Sequence, residues 1–153
     1  MLKIHKLFCS MACIGFITGG GTIAAAVTIG IVGVLQLTAG ELHFTTLLLI
    51  AVLVNLLGIY SASKVEDYWG KDSSKVVIDE AGGMLLSIVG LPFNWYLYCL
   101  AFILFRFFDI TKPFLIKKAE KLPKGWGVMG DDIVAGIVAN VLVQVFIVLK
   151  NLL

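Results

Sequence analysis

The fold of this chain turns on one stretch, Gly125-Trp126-Gly127-Val128-Met129-Gly130-Asp131-Asp132-Ile133-Val134-Ala135-Gly136. Two adjacent carboxylates, Asp131 and Asp132, stand here at the mouth of an apolar run that covers residues 132–149. A run of that length can form a helix that crosses a membrane, since a span needs about 20 mostly apolar residues. The stretch therefore predicts an acidic site at the end of a membrane helix.

Composition agrees with a membrane protein. The 153 residues are 59% hydrophobic and only 14% charged, whereas soluble domains carry roughly 25% charged residues. The length predicts a single domain over residues 1–153. The net charge of +2 gives no reason to expect a nucleic-acid partner.

Upstream of the acidic stretch, the apolar pattern predicts two spans, residues 22–38 and residues 44–62. Asn55 would lie at mid-membrane depth in the second span, and it should face protein rather than lipid. A water-facing loop is expected over residues 63–78, which are mostly polar.

The N-terminal apolar run, residues 7–18, is too short to cross. Twelve helical residues rise about 18 Å, against a hydrocarbon core of about 30 Å. We expect an interfacial or re-entrant segment there, with Thr22 as a candidate cap of the following helix. Lys3 and Lys6 ahead of this run resemble a signal peptide, but the next apolar run follows almost at once, as in a retained membrane protein.

A second acidic pair, Asp79-Glu80, opens an apolar stretch that Pro92 interrupts. Proline breaks a helix, so residues 80–91 and 94–108 are two pieces, either one kinked crossing or a hairpin. Cytoplasmic loops carry an excess of lysine, and only a hairpin returns the lysine-rich loop of residues 109–131 to the side of Lys3 and Lys6. We therefore predict an all-α integral membrane helical bundle, with about four apolar helices, a proline-broken helical hairpin and an N-terminal interfacial helix.

The hairpin would gather five carboxylates at one membrane face: Asp79, Glu80, Asp109, Asp131 and Asp132. Such a cluster repels itself unless cations occupy it. Oxygen ligands without paired histidine or cysteine suit Mg²⁺ rather than zinc. The alternative is a helix cap, because acidic side chains are common at helix starts. Adjacent residues on a helix diverge by about 100°, so each pair would give one ligand and one cap or neighbouring contact.

Arg106 is the only arginine in the chain and lies in an apolar helix three residues before Asp109. It either pairs with Asp109 at i, i+3 or binds a phosphate. Lys112, three residues further on, is either a phosphate contact or a snorkelling lysine. With one arginine and no histidine after His43, the arginine- and histidine-rich signature of phosphatases with a histidine nucleophile cannot be assembled, and no Walker loop is present.

Three ordered motifs resemble the phosphatidylglycerophosphatase A family. The first, Asp79-Glu80-Ala81-Gly82-Gly83, is similar to the family's Asp-Glu-x-x-Gly. The second, from Phe105 to Pro113, is similar to Phe-Arg-x-x-Asp-x-x-Lys-Pro. The third, from Gly127 to Gly136, is similar to Gly-x-Met-x-Asp-Asp-x-x-Ala-Gly. Together with a glycine-rich start, the resemblance covers roughly residues 15–145.

The resemblance implies a Mg²⁺-dependent membrane phosphatase, a phosphoric monoester hydrolase that converts phosphatidylglycerophosphate to phosphatidylglycerol in phospholipid and cardiolipin biosynthesis. It also implies a multi-pass protein of the bacterial cell membrane whose site faces the cytoplasm. Carried over residue by residue, the expected site is Asp79, Glu80, Arg106, Asp109, Lys112, Asp131 and Asp132.

Within this site, we assign the metal to the two acidic pairs, Asp79-Glu80 and Asp131-Asp132, and the substrate phosphate to Arg106 and Lys112. Catalysis would fall to Asp131, Asp132, Asp79 and Asp109, one of them as base, and the lipid would enter between the hairpin and the last helix. Anionic lipids are expected neighbours of the basic loop. The alternative function is a small cation-binding transport subunit, since carboxylates near apolar helices also mark ion pathways.

Overall fold

The computed structural model describes residues 2–40, 42–71 and 73–152, and it is helical throughout. Seven α-helices follow one another: α1 (Leu2–Cys9), α2 (Gly20–Ala39), α3 (Phe44–Trp69), α4 (Ile78–Ile88), α5 (Trp95–Thr111), α6 (Phe114–Ala119) and α7 (Gly125–Leu152). A short 3-10 helix, Ile14–Phe16, precedes α2. These ranges contain no strand, so the predicted all-α class is confirmed.

Three of the helices within the described ranges, α2, α3 and α7, are long and apolar enough to cross a membrane. Their outer faces expose large apolar side chains, such as Leu49 and Val148. Extended apolar exposure of this kind is unfavourable in water and suits contact with lipid. The predicted membrane helical bundle is therefore confirmed.

The second span is longer than predicted. Helix α3 continues to Trp69, so the expected loop over residues 63–78 is wrong for its first seven positions. The extension is stabilised by α1, because Val65 and Ala62 are buried and Ser61 Oγ lies 3.1 Å from His5 Nδ1. The polar composition indicated a loop, but the segment is a helix with one exposed polar face and one buried face.

The N-terminal segment also differs from its prediction. Residues 7–18 do not form one helix: α1 ends at Cys9, and Met11, Ala12 and Cys13 have left-handed backbone conformations. Helix α2 begins at Gly20 after Gly19, whose φ is 76°. Thr22 therefore lies inside α2 and is not its cap. Glu41, in the predicted loop after α2, lies outside the described residues.

The proline-broken hairpin is confirmed. Helices α4 and α5 are separated by the Gly90-Leu91-Pro92 turn, and Gly90 has a φ of 73°. The chain reverses direction there, because Arg106 near the end of α5 places Nη1 4.0 Å from Oε1 of Glu80 at the start of α4. The hairpin thus returns the chain to the end of the bundle at which α4 starts.

The last helix starts seven residues earlier than predicted. Because α7 begins at Gly125, Asp131 and Asp132 lie two turns inside it and are not caps. The glycines that were expected to form a loop are helical, and Gly125 lies so close to α3 that a Cβ there would overlap the carbonyl oxygen of Ile59. The prediction failed because glycine was taken as a helix breaker where it serves close helix packing.

The short helix α4 lies at the centre of the bundle and packs against α2, α3, α5 and α7. The predicted inward orientation of Asn55 is confirmed, since its side chain donates hydrogen bonds to the carbonyls of Ala51 and Gly82. On the opposite side, a Cβ at Gly136 would overlap the carbonyl oxygen of Gly83. Helices α4 and α7 are therefore in close contact at this point, and the expected lipid entry between the hairpin and the last helix stays a prediction.

Candidate active site

One cleft of about 620 Å³ opens at the end of the bundle where α4 starts and α5 ends. All seven charged residues that the sequence singled out line it: Asp79, Glu80, Arg106, Asp109, Lys112, Asp131 and Asp132. The first turn of α4, the end of α5 and the second turn of α7 each bring part of this set. The hairpin and α7 together bring residues that are more than 50 positions apart in the chain, such as Asp79 and Asp132, to the same cleft.

Three of the carboxylates form a compact group. Asp79, Glu80 and Asp132 each place an oxygen within 4.8 Å of the others, close enough to share one cation. Asp132 is only 3% exposed, and neither its Oδ1 nor Oε2 of Glu80 has a hydrogen-bond partner among the described residues. Buried carboxylate oxygens without partners are costly, so this group fits a hard divalent cation such as Mg²⁺.

The environment of the group opposes its ionisation when no cation is bound. Burial raises the pKa of Asp79 well above its usual value, and the neighbouring carboxylate of Glu80 raises it further. Burial also raises the pKa of Glu80, although a hydrogen bond with Asp79 and the charge of Arg106 act in the opposite direction. A bound cation removes this conflict, because it favours the charged form of each carboxylate.

Arg106 faces the cleft beside this acidic group, which is called the carboxylate triad below. Its Nη1 donates a hydrogen bond of 2.5 Å to Oδ2 of Asp109, which settles that the i, i+3 pair forms. Its Nε is buried and has no partner among the described residues. The guanidinium therefore keeps donor capacity that Asp109 does not use, while Asp109 holds it in place.

Lys112 and Asp131 form a second ion pair on the cleft wall. Nζ of Lys112 donates a hydrogen bond of 2.6 Å to Oδ2 of Asp131, and Glu120 lies 3.7 Å from the same nitrogen. Asp131 is 5% exposed and contributes to this pair rather than to the carboxylate triad. The two neighbouring aspartates of α7 thus point to different partners.

The opposite wall of the cleft was missed from the sequence. Residues 15–22, Ser73 and Ser74 line it. Gly21 lies against the carboxylate triad, because a Cβ there would overlap Oε1 of Glu80. The run Gly19-Gly20-Gly21 was the signal available in the sequence, since glycine often marks a close approach to a ligand or to another chain segment.

Apolar helices that can cross a membrane, an acidic triad suited to a divalent cation and two cations facing the same cleft define a membrane enzyme suited to a phosphate ester. Comparison with known proteins identifies its family. Residues 7–147 match the family model of phosphatidylglycerophosphatase A, so the chain belongs to that family and is a phosphatase of phospholipid metabolism. The predicted family and enzyme class are confirmed.

Individual relatives agree on a phosphatase but differ in their named substrates. A protein of Bacteroides thetaiotaomicron, provisionally named phosphatidylinositol-3-phosphatase, is 41% identical over 131 residues, which are 84% of this chain and 80% of the relative. Phosphatidylglycerophosphatase A of Haemophilus influenzae is 36% identical over 80% of this chain and 71% of its own length. The Escherichia coli protein of that name is 33% identical over 60% of this chain and 55% of its own length. No solved structure matches the chain significantly.

Proposed function

We propose that this protein hydrolyses the phosphomonoester of phosphatidylglycerophosphate in a Mg²⁺-dependent reaction, releasing phosphatidylglycerol and inorganic phosphate for phospholipid and cardiolipin synthesis. The observation that supports this proposal is the convergence of the carboxylate triad, Arg106 and Lys112 on one cleft of a lipid-phosphatase family member. The chemistry needs all three parts, because the substrate oxygens carry charge that must be offset before water can attack.

We propose Asp79, Glu80 and Asp132 as the metal ligands. Their oxygens converge, and a divalent cation would compensate the two buried oxygens that lack partners. Held by these residues, Mg²⁺ would supply positive charge to offset the phosphoryl oxygens and would help to position water. Asp131, which the sequence placed among the ligands, instead holds Lys112 and borders the same cleft.

The two cations bind the phosphoryl oxygens in this proposal. Arg106 offers a planar set of donors that matches two phosphate oxygens, and Lys112 adds a second positive charge. Asp109 and Asp131 orient these cations and are the candidates to accept the proton of the attacking water. The phosphorus–oxygen bond to the glycerol carbon breaks, and the alkoxide takes up a proton to leave as the lipid alcohol. Transient phosphorylation of an aspartate is the rival mechanism.

We further propose a multi-pass protein of the bacterial cytoplasmic membrane whose cleft faces the cytoplasm. The support is the lysine distribution: Lys117, Lys118, Lys121 and Lys124 lie in the segment between α5 and α7, at the cleft end of the hairpin. Excess lysine favours the cytoplasmic side, and anionic headgroups attract it. The transport subunit is not favoured, because the chain belongs to a phosphatase family.

Phosphatidylinositol 3-phosphate is a second candidate substrate, favoured by the name of the relative that is 41% identical. Both lipids carry a phosphomonoester beyond a phosphodiester, so the same triad and cations could act on either. The choice depends on the headgroup that fits the wall formed by residues 15–22 and is settled by comparing kcat/KM for the two lipids.

The test measures phosphate release from both lipids in detergent, with Mg²⁺ and with EDTA. We expect release that requires Mg²⁺ and is lost in the Asp132→Ala variant. Asp67→Ala is the matched control, because Asp67 is an exposed carboxylate of α3 away from the cleft. Folded protein that releases no phosphate from either lipid, or release that persists in EDTA and in Asp132→Ala, would contradict the proposal.

A further inference from the structure

A second concave surface lies between α2 and α3, with α4 as its floor. It is an apolar groove of about 210 Å³. Its walls include Ile31 and Leu35 of α2, Ile50 of α3, and Ala81 and Leu85 of α4. The hydroxyl of Thr28, which also lines it, donates a hydrogen bond to the carbonyl of Ala24. Because the Thr28 hydroxyl already has a hydrogen-bond partner, it does not need one from an occupant of the groove. The groove therefore suits a hydrocarbon chain.

The groove and the cleft share two of their walls. On α4, Ile78 and Ala81 line the groove, whereas Asp79 and Glu80, which lie between them in sequence, line the cleft. On α2, the first residues line the cleft and residues 28–35 line the groove. Along α4 the groove extends from Ile78 to Leu85, about 10 Å at 1.5 Å per residue. It thus starts at the level of the carboxylate triad, on a different face of α4, and runs along a candidate membrane span.

The neighbouring helix pairs offer less room. Helices α4 and α7 touch at Gly83 and Gly136, where a Cβ would not fit. Helices α2 and α5 are joined by a hydrogen bond of 2.8 Å from Gln36 to the hydroxyl of Tyr98, and the ring of Trp95 fills the space beside Gly33. Of these three helix pairs, α2 and α3 therefore leave the most room for an occupant that reaches from the membrane toward the triad.

We propose that this groove seats an acyl chain of the lipid substrate while the phosphomonoester of the same molecule occupies the cleft. The proposal rests on the proposed function, because it assigns the headgroup of that lipid to the cleft. A bilayer phospholipid has its phosphates at the membrane surface and its chains directed inward. The cleft at the end of the bundle and the apolar groove along α2 reproduce that arrangement, so the chain need not leave the bilayer during hydrolysis.

Crosslinking tests the occupant directly. The full-length protein in detergent micelles is illuminated with a phosphatidylglycerophosphate that carries a diazirine in one acyl chain, and labelled peptides are mapped by mass spectrometry. We expect labels on α2 and α3 at groove residues such as Ile31 and Ile50. Labels spread evenly over the apolar surfaces of α2, α3 and α7, or concentrated around Val145 on α7, would overturn the proposal.

Two tryptophan variants give a matched functional test. Ile31→Trp fills the rim of the groove, and Val145→Trp adds the same ring to a different apolar surface of α7; the native residues are 54% and 48% exposed. We expect Ile31→Trp to reduce labelling and to raise KM for the lipid about tenfold, the effect of losing the burial of about two methylene groups. Val145→Trp should change neither. Equal effects of both variants, or no effect of Ile31→Trp, would overturn the proposal.

The two proposals fail in distinguishable ways. If the wild-type protein releases phosphate from neither lipid but the diazirine lipid still labels the groove, the proposed function fails and the groove assignment stands for a phospholipid chain. If phosphate is released and the groove is unlabelled, the acyl-chain assignment alone fails. A change of oligomeric state in Ile31→Trp, with lipid labelling and KM unchanged, would assign the groove to a second copy of the chain and overturn the proposal.

Discussion

The two acidic pairs of this protein look alike in sequence and differ in structure. Asp79 and Glu80 lie in the first turn of α4, and both contribute to the carboxylate triad. Asp131 and Asp132 lie two turns inside α7, and only Asp132 joins the triad. Asp131 accepts a hydrogen bond from Lys112 instead. On α4, both residues of the acidic pair thus belong to the carboxylate triad. On α7, one residue belongs to the triad and the other binds Lys112.

The difference follows from helix geometry. Neighbouring side chains on a helix diverge by about 100°, so two aspartates deep in α7 cannot easily reach one point. On α4, the longer side chain of Glu80 can turn back toward Asp79, so that oxygens of both carboxylates lie within 4.8 Å of each other and of Asp132. A pair of adjacent acids therefore does not by itself indicate two ligands of one metal. Whether both side chains reach the metal depends on their lengths and on the position of the pair in the helix.

The largest expected effect separates the two aspartates of α7. Asp132→Asn removes a charged member of the triad, and we expect kcat/KM to fall about 10³-fold or more at limiting Mg²⁺. Asp131→Asn removes a partner of Lys112, for which a loss of about 10- to 100-fold is expected. Phosphate release across a Mg²⁺ titration measures both, and only Asp132→Asn should raise the Mg²⁺ concentration required. A higher Mg²⁺ requirement in Asp131→Asn alone would reverse the two roles.

The next effect tests how α2 supports the α4 pair. Gly21→Ala introduces a methyl group that would overlap Oε1 of Glu80, so this carboxylate must move and Mg²⁺ affinity should fall about 10- to 100-fold. Gly30→Ala is the matched control on the same helix, because a Cβ there meets no described atom within 4 Å. Isothermal titration with Mg²⁺ measures the affinities. Equal affinities for the two variants would show that Glu80 has room to adjust.

A smaller effect is expected from the ion pair between Lys112 and Asp131 on the cleft wall. If Asp131 acts by holding Lys112, the losses caused by Asp131→Asn and Lys112→Gln should not add. We expect a coupling free energy of about 0.5–3 kcal/mol in a double-mutant cycle on kcat/KM. Glu120→Gln provides the comparison, since its carboxylate lies farther from Lys112, at 3.7 Å. If the losses caused by Asp131→Asn and Lys112→Gln add strictly, Asp131 does not act through Lys112.

Much of this site could be predicted from the sequence, because charge is rare in apolar helices and each charged residue is conspicuous there. Pro92 together with the lysine distribution predicted the hairpin, and the hairpin explains why Glu80 and Arg106 meet. The apolar surroundings therefore make all seven charged residues of the cleft recognisable in the sequence.

Other features could not be predicted, for physical reasons. Glycine has a low intrinsic helix propensity, so Gly125 and Gly130 indicated a loop, whereas contacts with α3 and α6 make them helical. The polar end of α3 indicated a loop because the packing of Val65 against its neighbours is a tertiary effect. The different partners of Asp131 and Asp132 depend on where α7 starts, and α7 starts at Gly125, seven residues before the predicted position.

The smallest expected effect concerns pH and returns to the α4 pair. Burial raises the pKa values of Asp79 and Glu80 in the folded protein, while in the unfolded chain they ionise near pH 4. The stability that these groups contribute is therefore present below about pH 4 and is lost as the pH rises through the raised values. In EDTA, the unfolding temperature in detergent should fall over this window, by about 2–4 °C for each kcal/mol lost.

Mg²⁺ binds the ionised triad, so the increase in unfolding temperature on adding Mg²⁺ should be larger at pH 8 than at pH 5. Asp79→Asn should flatten the EDTA profile, and Asp67→Asn, at an exposed position, should leave it unchanged. An EDTA profile in which stability increases with pH would mean that the α4 pair is held ionised without a metal, and the triad would then be an ion-paired cap rather than a cation site.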